Sequence, residues 1–352
     1  MTGTDGELLL YGSYGFTGSL IARAAADAGA PLILAGRNAR RLRRQAASLG
    51  FPYRVAALED AAALAEALEG VRAVLSLAGP YSRTEGPLVD ACLRAGIHYL
   101  DVSGEHATFE GLRRRSEEAA AAGVTLLPGV GFDVVPSDCL ALYVAQRLPD
   151  ATRLEIAVQG VAGVSRGTAL TMVEAAPRGG LVRREGRLVW VPAGWRRRRI
   201  PLGDASAHAV SVPLADLVSA FHTTGIPHIT TYYMGSAALG PLLRATRLLR
   251  WPPAARLWEH VAGPAVRLLR PRPSTRAQRG RALVWAEASD DTGHTAAALL
   301  RCPEPYTLTA LVALDAALRV ARGGVAPGYR TPALALGADY VLGFPGVERI
   351  DL

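Results

Sequence analysis

Three glycines at even spacing, Gly12, Gly15 and Gly18, directly follow a short apolar run, and a helical stretch begins among them. The first glycine lets the chain turn sharply out of a strand. The second lets a pyrophosphate approach the backbone, and the third lets the helix pack closely on the sheet. Free N–H groups at the N-terminus of such a helix bind phosphates. The pattern predicts a dinucleotide site formed by Gly12, Ser13, Tyr14, Gly15, Phe16, Thr17 and Gly18.

A cation replaces the usual acid at the end of the second apolar run, which closes with Gly36, Arg37 and Asn38. NAD sites usually place Asp or Glu about 20 residues after the glycines, where it accepts a hydrogen bond from the ribose 2′-hydroxyl. The next acid here is Glu59. A guanidinium suits a 2′-phosphate, so Arg37 and Asn38 predict NADP(H) rather than NAD. The alternative is that Arg37 and the arginines after it only form the solvated face of the next helix.

Later loops carry the groups suited to catalysis, since ligands of parallel sheets lie beyond the carboxyl ends of the strands. The loop Ala78, Gly79 and Pro80 is expected beside the cofactor ribose. Tyr81 is expected to aim its phenol at the nicotinamide or the substrate, and Asp133 is the second catalytic candidate. Helix capping is the alternative role for the acids and serines in these loops. The remaining candidates in the same loops are Asp101, Ser103, Glu105 and His106.

Strand-like and helix-like stretches alternate up to about residue 147 and predict six strands joined by helices. This pattern indicates an α/β fold with a Rossmann-type doubly wound parallel sheet. After residue 150 the pattern changes to strands expected to pair antiparallel, which indicates a second α+β domain. We predict an NADP-binding domain over residues 1–148 and a substrate domain over 149–319, with residues 320–352 packing back on the first. In the second domain, Arg166 is either an anion anchor or part of a surface salt bridge.

The composition excludes several kinds of chemistry. The chain has 352 residues, a net charge of +8 and no lysine. A Schiff-base lysine, a P-loop lysine and a Tyr-x-x-x-Lys proton relay are therefore excluded. Its three cysteines lie far apart in the sequence, which indicates reduced thiols, and no set of residues has the spacing of a metal site. The apolar runs are too short for a signal peptide or a membrane span, so we expect a cytoplasmic protein.

Residues 240–282 combine ten arginines with leucines and tryptophans, and Pro252, Pro253 and Pro264 break the stretch into short pieces. A basic amphipathic segment with tryptophans fits a membrane surface or an acidic partner, and would make the protein peripheral at the inner face of the membrane. The alternative is a helical hairpin packed on the protein with its arginines in solvent. Nucleic-acid binding is not expected, because no recognition module is present.

Five short stretches of the sequence carry a family resemblance: residues 11–18, 35–38, 78–81, 98–105 and 131–138. They resemble the saccharopine dehydrogenase-like oxidoreductases, and among these the bacterial trans-acting enoyl reductases. The resemblance implies NADP(H), a Rossmann domain with an α+β domain, and a place beside polyketide synthases that lack a working enoyl reductase domain. This sequence departs from the family inside the phosphate loop, where Ser13 and the bulky Tyr14 replace the more usual Ala and Thr.

Three hypotheses follow. The first is an NADPH-dependent reductase of an activated carbon–carbon double bond, in a small-molecule or carrier-bound lipidic or polyketide substrate. The second is an amino-acid or imine oxidoreductase closer to saccharopine chemistry, which needs a cation for the substrate carboxylates. The third is a nucleotide-binding scaffold without turnover, at a membrane or a synthase, and it rests on residues 240–282.

Overall fold

The protein is described by a computed structural model over residues 7–160, 179–203, 205–235 and 281–352, together with residues 243–244, 246, 258 and 260–261. The chain divides into two units, and each consists of two stretches of sequence. The first unit comprises Met1–Val135 and Tyr306–Tyr340, and the second comprises Pro136–Pro305 and Val341–Leu352.

The first unit is built on a seven-stranded sheet whose paired strands all run parallel. Its strand order is β3-β2-β1-β4-β5-β6-β15, which is the doubly wound order with one strand added at the edge. Apolar runs such as Leu8–Leu10 form the central strands because helices cover both faces of such a sheet. The strands are β1 Glu7–Tyr11, β2 Ile33–Gly36, β3 Tyr53–Val55, β4 Val71–Ser76, β5 His98–Asp101, β6 Thr125–Leu127 and β15 Gly328–Tyr329. The predicted Rossmann-type fold is confirmed.

Helices connect these strands, and local signals in the sequence set their ends. Asp60 accepts a hydrogen bond from the Ala63 N–H and caps α3. Gly96 ends α4 in the left-handed conformation, with φ +68°. The helices are α1 Phe16–Asp27, α2 Ala39–Leu49, α3 Ala61–Ala67, α4 Tyr81–Ala95, α5 His106–Arg114, α6 Ser116–Ala121, α9 Pro305–Ala321 and α10 Pro332–Leu336.

A late segment of the chain completes the first unit. β15 pairs with β6, and the Thr125 hydroxyl donates to the carbonyl of Val325 at 3.3 Å. The buried face of α9 brings Thr309 within 3.0 Å of the Phe132 N–H. We predicted domains over 1–148 and 149–319, but the structure assigns 306–340 to the first unit and 136–148 to the second. The difference arises because α9 buries its apolar face in the first unit, a contact that no local pattern reveals.

The second unit contains a nine-stranded mixed sheet. We expected antiparallel pairing, but β7 and β12 run parallel. The long connection between them includes α8 and returns the chain to the end at which β7 began. The strands are β7 Arg153–Gln159, β8 Gly180–Arg184, β9 Arg187–Val191, β10 Arg197–Pro201, β11 Ser206–Ser211, β12 His228–Met234, β13 Ala282–Ser289, β14 Thr295–Cys302 and β16 Glu348–Asp351. The helices are α7 Val135–Arg147 and α8 Asp216–Thr224, and a 3₁₀ turn covers Tyr340–Gly343.

One side of this sheet packs around the fully buried Trp285 and Tyr232. The order along the sheet is β10-β11-β12-β7-β13-β14-β16, and the hairpin of β8 and β9 joins it through β12. Because β16 pairs with β14, residues 341–352 belong to this unit instead of packing back on the first.

Candidate functional site

The glycine loop between β1 and α1 has the backbone that a dinucleotide needs. Gly12 adopts φ +81°, and a Cβ there would lie 3.1 Å from the carbonyl carbon of Leu77. A Cβ on Gly18 would lie 2.6 Å from the carbonyl oxygen of Gly12, so only glycine fits without movement of the backbone. The loop therefore lies between β1 and β4, where the strand order reverses and doubly wound sheets bind their ligands.

The N-terminus of α1 is available to an anion. Gly15 is its N-cap, with extended backbone and no side-chain hydrogen bond, and the first turn carries no acidic residue. The first N–H groups of a helix have no partner within the helix and carry a partial positive charge. An uncapped twelve-residue helix that follows a glycine loop fits the pyrophosphate of a dinucleotide.

Helix α2 fixes the glycine loop from the side. The Ser13 hydroxyl donates to Oε1 of Gln45 at 2.8 Å, and Nε2 of Gln45 donates to the Ser13 carbonyl at 2.9 Å. Nη2 of Arg41 donates to the Tyr14 carbonyl at 2.9 Å. Ser13 is buried, so in this structure its side chain serves the loop itself. Sequence reasoning missed Gln45 and gave Arg41 no specific partner, because both act across the loop from the next helix.

Tyr14 lies over the end of β2 rather than over the start of α1. Its ring occupies the space beside Gly36, where a Cβ would lie 2.8 Å from Cε1. Its hydroxyl accepts a hydrogen bond from the Asn38 N–H at 3.2 Å, and the Arg41 guanidinium stands 4.6 Å from the ring centre. The bulk of the Tyr14 ring is therefore placed beside Gly36, at the end of β2.

The arginines after β2 form an exposed cationic surface. Arg37 and Asn38 are exposed at the end of the strand, and Asn38 also caps α2 by accepting from the Arg41 N–H at 3.0 Å. NAD sites usually have an acidic residue directly after the second strand, whereas the residues at these positions here are Arg37 and Asn38. The positions predicted for a 2′-phosphate thus lie together, next to Tyr14. Phe16 also projects from the loop and packs edge-on against Tyr306, with 5.0 Å between the ring centres.

The loop after β4 is fixed by its neighbours. The Thr84 hydroxyl hydrogen bonds to the carbonyls of Ala78 and Pro80. Tyr81 begins α4, and its N–H donates to the Glu105 carboxylate at 3.2 Å, while the Ser82 N–H donates at 3.3 Å. Glu105, one of the predicted candidates, therefore supplies the negative charge at the N-terminus of α4. His106 is half-buried at the start of α5.

The phenol of Tyr81 is half-buried and stays protonated. Its hydroxyl lies 3.4 Å from the Ser76 carbonyl. Burial raises the pKa of Tyr81 well above its usual value, and the charges of Asp101 and Glu105 raise it further. A phenol of this kind is protonated near neutral pH, so it can donate a hydrogen bond or give its proton to a stronger base.

The Asp101 carboxylate links neighbouring loops by hydrogen bonds and does not cap a helix. It is fully buried and accepts hydrogen bonds from the Tyr99 hydroxyl at 3.0 Å, the Ser103 N–H at 2.9 Å and the Gly129 N–H at 3.1 Å. These bonds join the loops after β5 and β6. We considered Asp101 and Ser103 as caps of α5, but the N-cap of that helix is Glu105, which makes no side-chain capping bond. Burial raises the pKa of Asp101 above its usual value.

Asp133 lies beside the same loops. Its side chain is exposed, and Oδ2 is 3.4 Å from the point where a Cβ on Gly104 would stand. Its charge contributes to the raised pKa of Tyr81, which places the two predicted catalytic groups within electrostatic range of each other. The structure thus brings Tyr81, Glu105 and Asp133 together at the carboxyl ends of the strands of the first unit.

Glu85 was not predicted from the sequence. It stands four residues after Tyr81 in α4, on the same face of the helix. Burial raises the pKa of its carboxyl to about 7, with contributions from Asp101 and Glu105, while the Thr108 hydroxyl opposes the shift. The spacing from Tyr81 was the available signal, but it did not show that other carboxylates lie nearby.

The raised pKa of Glu85 makes stability depend on pH. A carboxyl whose pKa is higher in the folded state contributes stability below its unfolded value of 4.5, and this contribution is lost as pH rises through about 7. We expect Glu85→Gln to remove about 1 to 2 kcal/mol of the difference in unfolding free energy between pH 5 and pH 8, since the half-exposed side chain experiences less than the full shift. Urea unfolding at both pH values measures this. The exposed Glu66→Gln is the control, and equal pH dependence in wild type and Glu85→Gln would contradict the assignment.

Two further predictions fall outside this part of the structure. These are Arg166 and the basic segment 240–282, nearly all of which lies outside the described residues. Within the described ranges, no three His, Cys, Asp or Glu side chains are arranged to hold a metal ion. None of the helices in those ranges is long and apolar enough to cross a bilayer. The three cysteines are buried and unpaired with one another.

Comparison with known proteins identifies the domain that carries this site. Residues 8–127 match the family model described as the saccharopine dehydrogenase NADP binding domain. A trans-acting enoyl reductase from Mycobacterium leprae (strain TN) is 39% identical over 141 residues, which cover 38% of this chain and 34% of that protein. One of the same name from Mycobacterium ulcerans (strain Agy99) is 34% identical over 159 residues, or 43% of this chain and 38% of that protein. The matched region is thus well under half the length of either relative.

Among solved structures, apo saccharopine dehydrogenase (L-Glu forming) from Saccharomyces cerevisiae covers 99% of this chain and 100% of its own, with a TM-score of 0.67 and 13% identity. At this identity the likeness shows the fold alone, and it confirms the α/β fold. The predicted resemblance to the saccharopine dehydrogenase-like proteins is confirmed, and so is NADP(H) as the cofactor. The matches support the prediction of an NADP-dependent oxidoreductase.

Proposed function

We propose, from the saccharopine dehydrogenase-type NADP-binding domain at residues 8–127, that the protein is an NADPH-dependent reductase of an activated carbon–carbon double bond. The observation that carries the proposal is the uncapped N-terminus of α1, which follows a loop that requires glycine at positions 12 and 18, with exposed Arg37 at the end of the neighbouring strand. These residues suit the pyrophosphate and the 2′-phosphate of NADPH. The reduced nicotinamide supplies a hydride when it is bound.

The protein must then stabilise the charge that develops on the substrate. Hydride addition to the β-carbon of an enoyl thioester places negative charge on the carbonyl oxygen, and a proton must reach the α-carbon. We assign the donor role to Tyr81, whose half-buried phenol remains protonated because burial and nearby carboxylates raise its pKa. We assign Asp133 the role of returning a proton to this phenol from solvent, because it is exposed and within electrostatic range.

The substrate class rests on the relatives. The matched mycobacterial proteins are named trans-acting enoyl reductases, and on that basis we propose a lipidic or polyketide enoyl substrate carried by a polyketide synthase. The cytoplasmic location, the peripheral membrane contact through 240–282 and the substrate-binding role of the second unit stay predictions. Two alternatives stay open: an imine or amino-acid substrate, and a scaffold without turnover. Assaying the protein with a panel of enoyl thioesters and imines distinguishes them from the proposed function.

Nucleotide binding tests the proposal first. We expect purified protein to bind NADPH more tightly than NADH, and Arg37→Ala to weaken NADPH binding at least about tenfold, because a charge-assisted hydrogen bond to the 2′-phosphate is lost. Titrations followed by nicotinamide fluorescence measure both affinities. Arg94→Ala, which removes an exposed arginine from the last turn of α4, is the control for net charge. Failure of the wild-type protein to bind either nucleotide would reject the oxidoreductase proposal and favour the scaffold.

A further inference from the structure

We propose that Tyr14 selects NADPH over NADH by donating a hydrogen bond from its phenol to the 2′-phosphate. The proposal rests on the proposed function, since it assumes that the first unit binds NADPH. It goes further by giving the aromatic residue of the glycine loop a role in discrimination rather than in packing against the pyrophosphate.

The position of the ring is the first argument. A side chain in the glycine loop would be expected near the pyrophosphate, but Tyr14 extends to the end of β2 and fills the space that a side chain on Gly36 would occupy. The distance from Cε1 to the Cβ position of Gly36 is 2.8 Å, so the ring fits there only because residue 36 is a glycine. In doubly wound folds, the residues at the end of the second strand contact the ribose 2′-position. Tyr14 therefore stands at the part of the site where NADPH and NADH differ.

The direction of its hydrogen bond is the second argument. The Asn38 N–H donates to the phenol oxygen at 3.2 Å, so this bond occupies an acceptor site of Tyr14. A phenol hydroxyl also has one proton to donate. The hydrogen bond from the Asn38 N–H holds the phenol oxygen in place. It leaves the hydroxyl proton for a second partner that can accept it. The 2′-phosphate offers only acceptor oxygens, and its negative charge strengthens a hydrogen bond donated by the phenol.

The surrounding charge is the third argument. The Arg41 guanidinium lies 4.6 Å from the centre of the ring and also donates to the Tyr14 carbonyl at 2.9 Å, so a single arginine fixes both parts of the residue. Arg37 stands exposed between Gly36 and Asn38. The Arg41 N–H is already bonded to Asn38 Oδ1 and cannot serve an anion. The donors that remain for a phosphate are the Tyr14 phenol and the guanidinium groups. These donors suit the doubly charged 2′-phosphate of NADPH better than the neutral 2′-hydroxyl of NADH.

The test is the ratio of the two nucleotide affinities in Tyr14→Phe. This change keeps the ring beside Gly36 and under Arg41, and removes only the hydroxyl. We expect the Kd for NADPH to rise about tenfold, as for loss of one charge-assisted hydrogen bond, and the Kd for NADH to stay the same. Fluorescence titration of wild type and variant with each nucleotide gives the four constants. Tyr53→Phe, on the adjacent strand, is the control for loss of a phenol, because that hydroxyl bonds to Arg43 at 3.5 Å.

Each possible result of the four titrations either supports or overturns the proposal. Retained NADH binding shows that the variant is folded, so a selective loss of NADPH affinity supports the proposal. Equal weakening for both nucleotides, or no change for either, overturns the proposal and leaves the proposed function intact. Tighter NADPH binding also overturns it, because the hydroxyl would then obstruct the phosphate. If the wild-type protein binds neither nucleotide, the proposed function and this inference both fail.

Discussion

We expect Tyr81→Phe to lower kcat for an enoyl thioester by about a hundredfold or more, without changing the Kd for NADPH. The phenol is the group that we assign to stabilise or protonate the reacting substrate. It is half-buried at the start of α4, and its pKa is raised by burial and by the carboxylates of Asp101 and Glu105. Removal of the hydroxyl takes away the donor, whereas the backbone bonds from Tyr81 and Ser82 to Glu105 remain.

Steady-state kinetics and a nucleotide titration on the same preparation separate catalysis from binding. A loss in kcat with constant NADPH affinity indicates a group that acts on the reacting atoms. Tyr53→Phe, with an exposed phenol in β3, controls for the substitution itself. Unchanged kcat in Tyr81→Phe would remove this residue from the mechanism and make Asp133, the second catalytic candidate, the next residue to test.

A second large effect is expected from Gly18→Ala. The added Cβ would lie 2.6 Å from the Gly12 carbonyl oxygen and 2.7 Å from that of Ser13. Both are backbone atoms in a loop held by Gln45 and Arg41, so neither can move aside cheaply. We expect a loss of about 3 kcal/mol in unfolding free energy, at the upper end for an overpacked site. NADPH affinity should fall roughly a hundredfold, as when two charge-assisted hydrogen bonds to the pyrophosphate are lost.

Gly86→Ala is the matched control. Gly86 lies inside α4, and a Cβ there would meet no atom within 4 Å. The same substitution should therefore stabilise the protein by about 0.5 to 1 kcal/mol, because alanine favours the helix. Denaturant unfolding of both variants measures the two opposite effects. Equal stability of Gly18→Ala and wild type would show that the loop relaxes, and would remove the reason for a glycine at this position.

The first unit could be predicted because its signals are local. Apolar runs, glycine turns and the Asp60 cap follow one another along the chain, and each depends on only a few neighbouring residues. The second unit offered weaker signals, and five of its nine strands were not predicted: β8, β10, β11, β12 and β16. β10 consists mainly of arginines at the edge of the sheet. Arg198 in this strand pairs with Glu155 and Glu287, and its guanidinium carbon lies 4.7 Å from the centre of the Trp285 ring. These partners come from strands that are distant in the sequence, so no local pattern shows them.

The candidate site shows the same limit. The sequence predicted the glycines and the positions of Arg37 and Tyr81. It could not indicate the clamp of Gln45 on Ser13, because that contact joins residues 32 positions apart. The raised pKa of Glu85 was equally hidden, since it depends on how deeply the side chain is buried and on acids from other loops. The direction of the Tyr14 ring follows from a glycine in the next strand, a relation that is visible only in three dimensions.

The split first unit has a consequence for synthesis on the ribosome. Strand β6 is complete once residue 127 has been made, but its edge partner β15 is about two hundred positions away, at residues 328–329. Until then the nascent nucleotide-binding sheet exposes an unpaired parallel edge together with the surface that α9 will cover, and such edges promote association with other chains. The nucleotide-binding unit therefore cannot complete its sheet until residues 136–305, which belong to the second unit, have been translated.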